Sequence, residues 1–394
     1  KLLLMPTMLP AVPKTLGRLS DVFVSCLGSI TGVDNRLGLR RTDRVVTVLV
    51  DGLGTYNIKA GGGHAHLLNR AVIDSHALHS GFPSTTATSI TSFGTGLTPG
   101  EHGIVGYKVL DPQTRQPLNQ LTGWSSSFNP LEWQPNRTVA ETAVAASIEA
   151  NVVGPAEYAN SGFTALTMRG AKYLVGKTML DRVEIALELL TSAHSSLTYL
   201  YVPELDQKAH AYGVDSIEWL NALEELDSAI ARLTSPLSQR KFENSGVVLT
   251  ADHGIVDVPK SNQIYLDEYD LPKLELVAGD PRANYIYLAE TVSETELEIA
   301  VDSLQNQLNQ SKFGRGVKVA AKNQLIDAGW FGPTVTEVAA SRMPDIFAIA
   351  VGRTALYHRD FAKPKSLSMI GQHGSISNEE LSIPLLRFAG FAKK

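Results

Sequence analysis

Aspartates and histidines recur at four places along the chain, next to glycines or apolar runs. They read Val48-Leu49-Val50-Asp51, Asp206-Gln-Lys-Ala-His210, Asp252-His253-Gly254 and Gly371-Gln372-His373-Gly374. Carboxylates and imidazoles are the oxygen and nitrogen ligands that zinc-like ions take, and three of each suit a pair of ions. The pattern therefore indicates a two-metal hydrolase that acts on a phosphate ester.

The spacing of these residues has a functional interpretation and a structural alternative. Asp206 and His210 are four residues apart, so on a helix both side chains lie on one face, within reach of one ion. The alternative is an exposed Asp–His pair of the i, i+4 kind. Asp252 and His253 directly follow an apolar run, where a rigid strand end would present both, although an ordinary loop is the alternative. His373 alone is compatible with an exposed loop, and only the joint pattern favours a metal site.

A hydroxyl-rich segment, Phe82-Pro83-Ser84-Thr85-Thr86-Ala87-Thr88-Ser89, offers a nucleophile. Thr86 is the candidate. Pro83 fixes the start of a helix that Ser84 can cap, so that free N–H groups and the positive end of the helix dipole would face a phosphoryl group. Thr85 and Ser84 compete with Thr86 for the role, and a Ser/Thr-rich helix cap without chemistry is the alternative.

Composition and charge restrict the class of protein. The 394 residues are 43% hydrophobic and 19% charged, as in ordinary globular proteins, and the formal net charge of -5 argues against a nucleic-acid polymer as partner. Cys26 is the only cysteine, which excludes an intrachain disulfide and a thiolate zinc cluster. Any metal must then be held by Asp, Glu, His or hydroxyl groups, and the expected partner is a small-molecule phosphate ester.

The sequence favours a cytoplasmic location. The lack of disulfides fits the cytoplasm, and no apolar run approaches the roughly 20 residues of a membrane span. The apolar run in Lys1–Pro6 is too short for a signal peptide. A secreted protein stays an alternative, because a leader could have been removed.

Apolar runs alternate with helix-like stretches over the first two thirds of the chain. Strands are expected at 45–50, 162–167, 197–202 and 246–250, and helices at 18–31, 137–150, 180–194 and 215–234. This alternation predicts an α/β fold with a mostly parallel sheet that helices cover on both faces. Asp51, Asp206 and Asp252 each follow a predicted strand, and open α/β sheets bind ligands at the carboxyl ends of their strands.

Residues 257–345 differ in character from the rest of the chain. Strand-like runs at 283–288, 317–320 and 346–351 surround a Glu-rich helix at 293–309. We expect residues 257–345 to form a smaller α+β insertion or cap. Residues 1–256 and 346–394 would then form the catalytic α/β domain.

In their order along the chain these motifs resemble the alkaline phosphatase superfamily, and within it the type I phosphodiesterase/nucleotide pyrophosphatase family. The matching stretches are Val48–Gly54, Phe82–Gly106, Tyr201–Gly213, Leu249–Val256 and Gly371–Gly374. The resemblance implies an alkaline-phosphatase-like three-layer αβα sandwich. It also implies two divalent metal ions, with zinc favoured by ligand type and manganese as the alternative.

The resemblance further implies a role for each site residue. One ion would be held by Asp206, His210 and His373. The other would be held by Asp51, Asp252, His253 and the nucleophile, which the family pattern puts three residues after the proline of Phe82-Pro83, at Thr86. Family enzymes often carry Asn three residues after the nucleophile; Ser89 stands there in this chain and can contact the phosphate through one hydrogen bond.

The implied reaction is cleavage of a phosphodiester or pyrophosphate bond in a nucleotide-like substrate through a phospho-threonine intermediate. Three aspartates and a Thr86 alkoxide would balance the charge of two divalent ions, so a singly charged diester meets less repulsion than a doubly charged monoester. No arginine adjoins the Thr86 segment to compensate for a second charge. A phosphomonoesterase, phosphonate hydrolase or mutase of the same superfamily is the alternative. A non-catalytic metal-binding relative is a further one.

Overall fold

A six-stranded sheet forms the centre of the larger part of the molecule. The computed structural model describes residues 12, 17–73, 75–289 and 291–392, so the prediction for Lys1–Pro6 lies outside the described residues. In sheet order the strands are Leu386–Ala389, Ser245–Ala251, Arg44–Val50, Ser196–Val202, Glu149–Gly154 and Lys172–Val175. Neighbouring strands run parallel except the first pair, which is antiparallel. The central strands are almost wholly buried, as expected for parallel strands covered on both faces.

Helices cover both faces of this sheet. One group contains Ser20–Thr31, Thr86–Thr95, Val139–Ala145 and Gly162–Thr167, and the other contains His66–Ile73, Met179–Leu189, Glu204–Tyr212 and Ile217–Thr234. From Glu149–Gly154 the chain crosses outward to the edge strand and then returns inward through the helix Met179–Leu189. Right-handed crossovers in opposite directions place their helices on opposite faces. The predicted α/β fold, with a mostly parallel sheet between helical layers, is therefore confirmed.

Two predicted elements are wrong. The run 162–167, predicted as a strand, is the helix Gly162–Thr167, and the predicted helix 137–150 ends at Ala145 and gives way to the strand Glu149–Gly154. The Ser161 side chain accepts a hydrogen bond from the backbone N–H of Thr164 and so begins the helix. Its buried residues are Phe163, Leu166 and Thr167, a helical spacing that a six-residue apolar run does not separate from a strand.

A second sheet, here called the small sheet, is formed by later residues. Its strands, in order, are Leu274–Asp280, Ala283–Leu288, Ile346–Ala350 and Val317–Ala321, all antiparallel. The helix Glu294–Gln310 packs on one face through Val301, Leu304 and Leu308. The small sheet reaches Ala350, beyond the predicted end of the insertion at 345, and the division at 257–345 stays a prediction.

Short elements connect the two sheets. The further α-helices in the described part of the chain are Thr55–Ala60, Pro99–His102, Pro130–Trp133, Lys322–Asp327, Glu337–Arg342, Pro364–Ser368 and Asn378–Leu381. The remaining strands pair as Leu78–His79 with Ser382–Ile383, Lys108–Leu110 with Pro117–Asn119, Gln263–Tyr265 with Ala355–Tyr357, and Val256–Asp257 with Gly371–Gln372. The last pair matters most for the site, because it joins the segment after His253 to the segment before His373.

The side chain of Phe82 ties the hydroxyl-rich segment to the small sheet. Its ring is fully buried and lies edge-on to Phe331, with the ring centroids 5.5 Å apart, and 6.2 Å from the ring of Phe347 in the strand Ile346–Ala350. Aromatic pairs at such distances contribute packing beyond simple burial. The small sheet therefore helps to fix the position of the segment that contains Thr86.

Candidate functional site

Three neighbouring strands of the central sheet end at the same edge. Val50 lies beside Val202 and Ala251 in the parallel register, so Asp51 and Asp252 follow strands that end side by side. Asp206 lies in the helix Glu204–Tyr212, which begins directly after the third strand. The carboxyl edge of the sheet thus brings the three predicted aspartates together, as the order of strands and motifs predicted.

His373 comes from a different part of the fold. The antiparallel pair of Gly371–Gln372 with Val256–Asp257 carries it to the loop that contains His253. The backbone N–H of Ile370 donates to the carbonyl of His210 at 2.9 Å, which fixes the same segment against the helix of Asp206. Without this pairing a histidine so far along the chain would not reach the strand ends.

The predicted ligands form two sets. Asp206, His210 and His373 make one set and Asp51, Asp252 and His253 the other, and within each set one ligand atom per residue lies within 4.8 Å of the others. In the first set His210 Nε2 is 3.2 Å from an Asp206 oxygen. In the second, His253 Nε2 is 3.4 Å from Asp51 and 3.5 Å from Asp252. The structure thus brings together all six predicted Asp and His residues.

Each aspartate presents a buried oxygen that lacks a hydrogen-bond partner among the described residues. These atoms are Oδ1 of Asp51, Oδ1 of Asp206 and Oδ2 of Asp252. The second oxygen of Asp252 accepts from the backbone N–H groups of Gly52 at 3.1 Å and His253 at 2.9 Å. Burying unpartnered carboxylate oxygens is costly unless a cation balances them. This donor set therefore fits divalent metal ions.

The histidines are oriented by backbone carbonyls. Nδ1 of His210 is 2.7 Å from the carbonyl of Gly371, Nδ1 of His253 is 3.1 Å from that of Gly254, and Nδ1 of His373 is 3.0 Å from that of Ser84. A carbonyl oxygen can only accept, so each Nδ1 carries a proton, and in the neutral form of each ring Nε2 has the lone pair that a metal needs. Metal-binding histidines are commonly held in this way.

Burial and mutual repulsion shift the titration of the cluster. Burial, and then the charges of Asp252 and Asp206, raise the pKa of Asp51 well above its usual range, and burial also raises the pKa of Asp252. Burial opposes ionisation of Asp206 as well, but the charge of His210 beside it keeps the Asp206 pKa low. Burial and the neighbouring His253 lower the pKa of His373, which leaves it a neutral ligand. A cation at this place would favour the ionised form of all three carboxylates.

Thr86 lies at the first position of the helix Thr86–Thr95, and its Oγ1 is 3.2 Å from His253 Nε2. The N-cap residue is Thr85, so the predicted cap by Ser84 is wrong. The Ser84 hydroxyl instead donates to the carbonyl of Ser375 at 2.7 Å and accepts from the N–H of Gly374 at 3.2 Å. Ser84 is therefore engaged with the His373 loop, while Thr86 faces the second ligand set.

Ser89 is one helical turn beyond Thr86. Ser89 is fully buried, and its hydroxyl has no hydrogen-bond partner among the described residues. The backbone N–H of Ser89 donates to the carbonyl of Thr85 at 2.9 Å, as in a regular helix. The assignment of Ser89 to the substrate stays a prediction.

Two residues at the site were not predicted from the sequence. Tyr201 donates its hydroxyl hydrogen bond to Oδ2 of Asp51. Burial and the charge of Asp51 raise the Tyr201 pKa well above 10.0, so the donor stays protonated. Asp280, at the end of a strand in the small sheet, accepts from the Thr85 hydroxyl at 3.3 Å. Tyr201 lies near the end of the strand Ser196–Val202, which leads to the site, and this position in the sequence was a usable signal. Asp280 carried no such signal, because a Gly-Asp-Pro turn is common.

A sheet whose carboxyl edge presents two such ligand sets beside a helix N-terminus is the architecture of the alkaline phosphatase superfamily. A model of the type I phosphodiesterase/nucleotide pyrophosphatase family matches residues 45–376 of the chain. The chain belongs to that family. The match includes both ligand sets and the Thr86 segment.

Individual relatives are about a quarter identical to this chain over the aligned residues. A pyrophosphatase/phosphodiesterase of Schizosaccharomyces pombe, named uncharacterized, is 27% identical over 191 residues, 47% of this chain and 39% of that protein. Venom phosphodiesterase 2 of Crotalus adamanteus is 26% identical over 48% of this chain and 23% of its own length. Human ectonucleotide pyrophosphatase/phosphodiesterase family member 1 is 25% identical over 50% of this chain and 22% of its own length. The chain thus covers less than half the length of these relatives.

Solved structures confirm the fold over most of the chain. Murine ectonucleotide pyrophosphatase/phosphodiesterase 5 superposes with a TM-score of 0.65, at 18% identity, over 88% of both chains. The structure of an inactive variant of that murine protein in complex with AMP gives a TM-score of 0.64 over the same shares. At this identity the likeness establishes the shared fold.

The expected cytoplasmic location finds no support among these relatives, some of which are venom or ecto proteins by name. Within the described ranges, none of the helices combines the length and apolar character that crossing a membrane requires.

Proposed function

We propose that the protein is a two-metal hydrolase that cleaves phosphodiester or pyrophosphate bonds of nucleotide-like substrates through a phosphorylated Thr86. Family membership and the grouping of the ligands support this proposal. The observation that carries it is the position of the Thr86 hydroxyl, 3.2 Å from His253 Nε2 and at the first turn of a helix beside both ligand sets.

The proposed ligands follow the two observed sets. Asp206, His210 and His373 would hold one ion, and Asp51, Asp252, His253 and Thr86 would hold the other. Zinc is the proposed metal because mixed carboxylate and imidazole ligands suit it, and manganese is the alternative. When bound, two divalent ions would polarise the phosphoryl group and stabilise charge on the leaving oxygen.

The residues of the chain account for orientation. His253 Nε2 would hold the ion that the Thr86 hydroxyl also faces, so the Thr86 proton passes to solvent as Oγ1 attacks phosphorus. A bond from Oγ1 to phosphorus forms, and the bond to the leaving oxygen breaks. Water then attacks phosphorus and releases Thr86. Backbone N–H groups at the start of the helix Thr86–Thr95 can hold the equatorial oxygens, since these groups lack partners within a helix.

The substrate preference follows from charge. The ligand sets contain three carboxylates. Arg282, which lies near the His373 loop, has its charge taken by Glu380, with neither side chain exposed. Arg282 is therefore not free to compensate a second negative charge on the phosphate, and we propose that a diester or pyrophosphate is preferred to a monoester. AMP bound to the murine relative supports a nucleotide as the organic part. Ser89, with its unpartnered hydroxyl, is the proposed further contact to the phosphate.

The test compares hydrolysis of bis(p-nitrophenyl) phosphate with that of p-nitrophenyl phosphate by the zinc-loaded protein, with Thr86→Ala as the blank. Both substrates release the same leaving group, so their ratio reports the charge preference. We expect faster turnover of the diester and none by the variant. A preference for the monoester would contradict the proposal and favour a phosphatase or mutase. Absence of turnover with two metals bound would favour a binding role.

A further inference from the structure

The hairpin of the small sheet that turns at Pro281 contacts the neighbours of two site residues, Thr86 and His373. Its strands are Leu274–Asp280 and Ala283–Leu288, and its tip carries Asp280 and Arg282. We propose that Asp280 is a positioning residue, held by Arg282, that sets the relative placement of Thr86 and His373 from outside the ligand sets. This inference rests on the proposed function of those two residues.

Asp280 contacts both the Thr86 segment and the His373 loop. Its Oδ1 accepts from the hydroxyl of Thr85, the residue before Thr86, at 3.3 Å. On its other side it lies against Gly374, the residue after His373. A Cβ added to Gly374 would be 2.8 Å from the Cβ of Asp280. Asp280 therefore acts as a spacer between two loops that are far apart in sequence.

Arg282 fixes the tip of the same hairpin to Glu380, in the helix Asn378–Leu381. Its guanidinium binds both carboxylate oxygens of Glu380, with Nε 3.0 Å from Oε1 and an Nη2 contact to Oε2 of 2.5 Å, and neither side chain is exposed. Such a two-point pair is strong and strongly directional. Its carbonyl contacts, with Gly352 and Thr354, use the remaining Nη1 donor.

Glu380 transmits this anchor to two ligand loops. Its carboxylate accepts from the backbone N–H of Ser375 at 3.0 Å, two residues after His373. Its carbonyl accepts from the N–H of Gly254 at 2.8 Å, and Gly254 directly follows His253. The ion pair therefore connects the hairpin tip to the segments that contain His253 and His373.

The alternative is that these contacts only hold the small sheet against the rest of the protein. In that case a change at Asp280 would lower stability but leave the rate per folded molecule unchanged. A positioning role predicts the opposite, because a displacement of about 1 Å between reacting groups can cost roughly 100-fold in rate. The two cases therefore differ in the kcat of the folded variant, which stays at the wild-type value in the first case and falls in the second.

The experiment compares Asp280→Asn with wild type, using bis(p-nitrophenyl) phosphate turnover and the visible absorption spectrum of the cobalt-loaded protein. Asparagine keeps the shape of the side chain but replaces one acceptor oxygen by a donor. We expect kcat to fall about 10- to 100-fold with little change in KM, as for a displaced reacting group. We also expect the cobalt bands to shift, because His373 moves. Glu275→Gln is the matched control: Glu275 lies on the same strand and pairs with Arg115 at the surface, so both readouts should stay at wild-type values.

Wild-type kcat and an unchanged cobalt spectrum in Asp280→Asn would overturn the inference, as would an activity loss fully explained by unfolded protein. Should this variant fail to fold, Thr85→Val removes the partner hydroxyl and Arg282→Lys removes the two-point contact while keeping the charge. At least Thr85→Val should reproduce the lower kcat and the shifted bands; unchanged values in both variants would also overturn it. If the wild type hydrolyses no phosphate ester, the proposed function fails, while the cobalt spectra still decide the role of Asp280.

Discussion

His253 and His373 stack face to face, with ring centroids 3.7 Å apart and an angle of 19° between the planes. The two rings belong to different ligand sets, so the sets share a wall. Each ring is also held through Nδ1 by a backbone carbonyl. A movement of either loop therefore displaces ligands of both sets, and the two proposed metal positions cannot adjust independently.

The first prediction concerns the nucleophile. Thr86→Ala should lower turnover of the diester by roughly 1000-fold or more, since loss of a nucleophile removes the covalent route. Both ions should stay bound, because six other ligands remain. Turnover and metal content by mass spectrometry check the two parts.

Thr91→Ala is the control for Thr86→Ala. Thr91 is on the same helix, and its hydroxyl donates to the carbonyl of Ala87 at 2.7 Å. Removing that contact should leave kcat near the wild-type value. Retained activity in Thr86→Ala, with normal metal content, would transfer the nucleophile to water or to a neighbouring hydroxyl.

The site was more predictable from the sequence than the elements around it. Asp51, Asp206 and Asp252 follow strands that were correctly expected, and adjacent parallel strands put their carboxyl ends together by geometry alone. The helical spacing of Asp206 and His210 was likewise readable. Gly162–Thr167 was misassigned because a short buried helix and a short buried strand have the same composition.

The contacts that support the ligands depend on tertiary structure and leave little trace in a single sequence. Ser84 was expected to cap a helix, a local role, but it binds Ser375 and Gly374 in a distant loop. Asp280 comes from the small sheet, whose relation to Thr85 is set by the packing of two sheets rather than by spacing along the chain. Such positions are visible only once the fold is known.

The second prediction concerns Tyr201. Tyr201→Phe removes the hydroxyl that donates to Oδ2 of Asp51, so the Asp51 carboxylate loses a hydrogen bond that orients it. We expect metal affinity to fall roughly 10- to 100-fold, as for other residues that support a ligand. Competition with a chromophoric chelator measures this. Tyr173→Phe is the matched control, because Tyr173 lies in the same sheet and its hydroxyl donates to the carbonyl of Pro155. Equal affinity in both variants would argue against the role of Tyr201.

The third prediction concerns Ser89. Its buried hydroxyl lacks a partner among the described residues, so it is free to donate to a phosphate oxygen. Ser89→Ala should lower kcat/KM for the diester roughly 10- to 100-fold, since a hydrogen bond to a charged group contributes about 1.5–3 kcal/mol. Steady-state kinetics and Tm together decide the point. A variant with wild-type kinetics and a higher Tm would mark Ser89 as a buried hydroxyl with no part in binding.

The fourth prediction concerns stability and pH in the metal-free protein. Burial raises the pKa of Asp280 from 3.8 to about 7, and burial also raises the pKa values of Asp51 and Asp252. Between its unfolded and folded pKa values the Asp280 carboxyl binds more protons in the folded state than in the unfolded state. The contribution of Asp280 to the free energy of unfolding therefore falls as pH rises from about 4 to 7, by up to about 4 kcal/mol. The buried His79, His102 and His373, whose pKa values are lowered by burial, contribute in the opposite direction.

Thermal unfolding of wild type and Asp280→Asn in a chelator at several pH values measures this contribution. The slope of Tm against pH should be more positive in Asp280→Asn than in wild type, because the variant lacks a group that releases a proton on unfolding. Metal addition should raise Tm more at pH 8 than at pH 5, since cations bind the ionised carboxylates and the neutral imidazoles. The exposed ion pair of Arg232 with Glu184 lies away from these carboxylates, so Glu184→Gln should keep the wild-type slope. A difference in Tm between wild type and Asp280→Asn that does not change with pH over this range would contradict the assignment of a buried, protonated carboxyl group to Asp280.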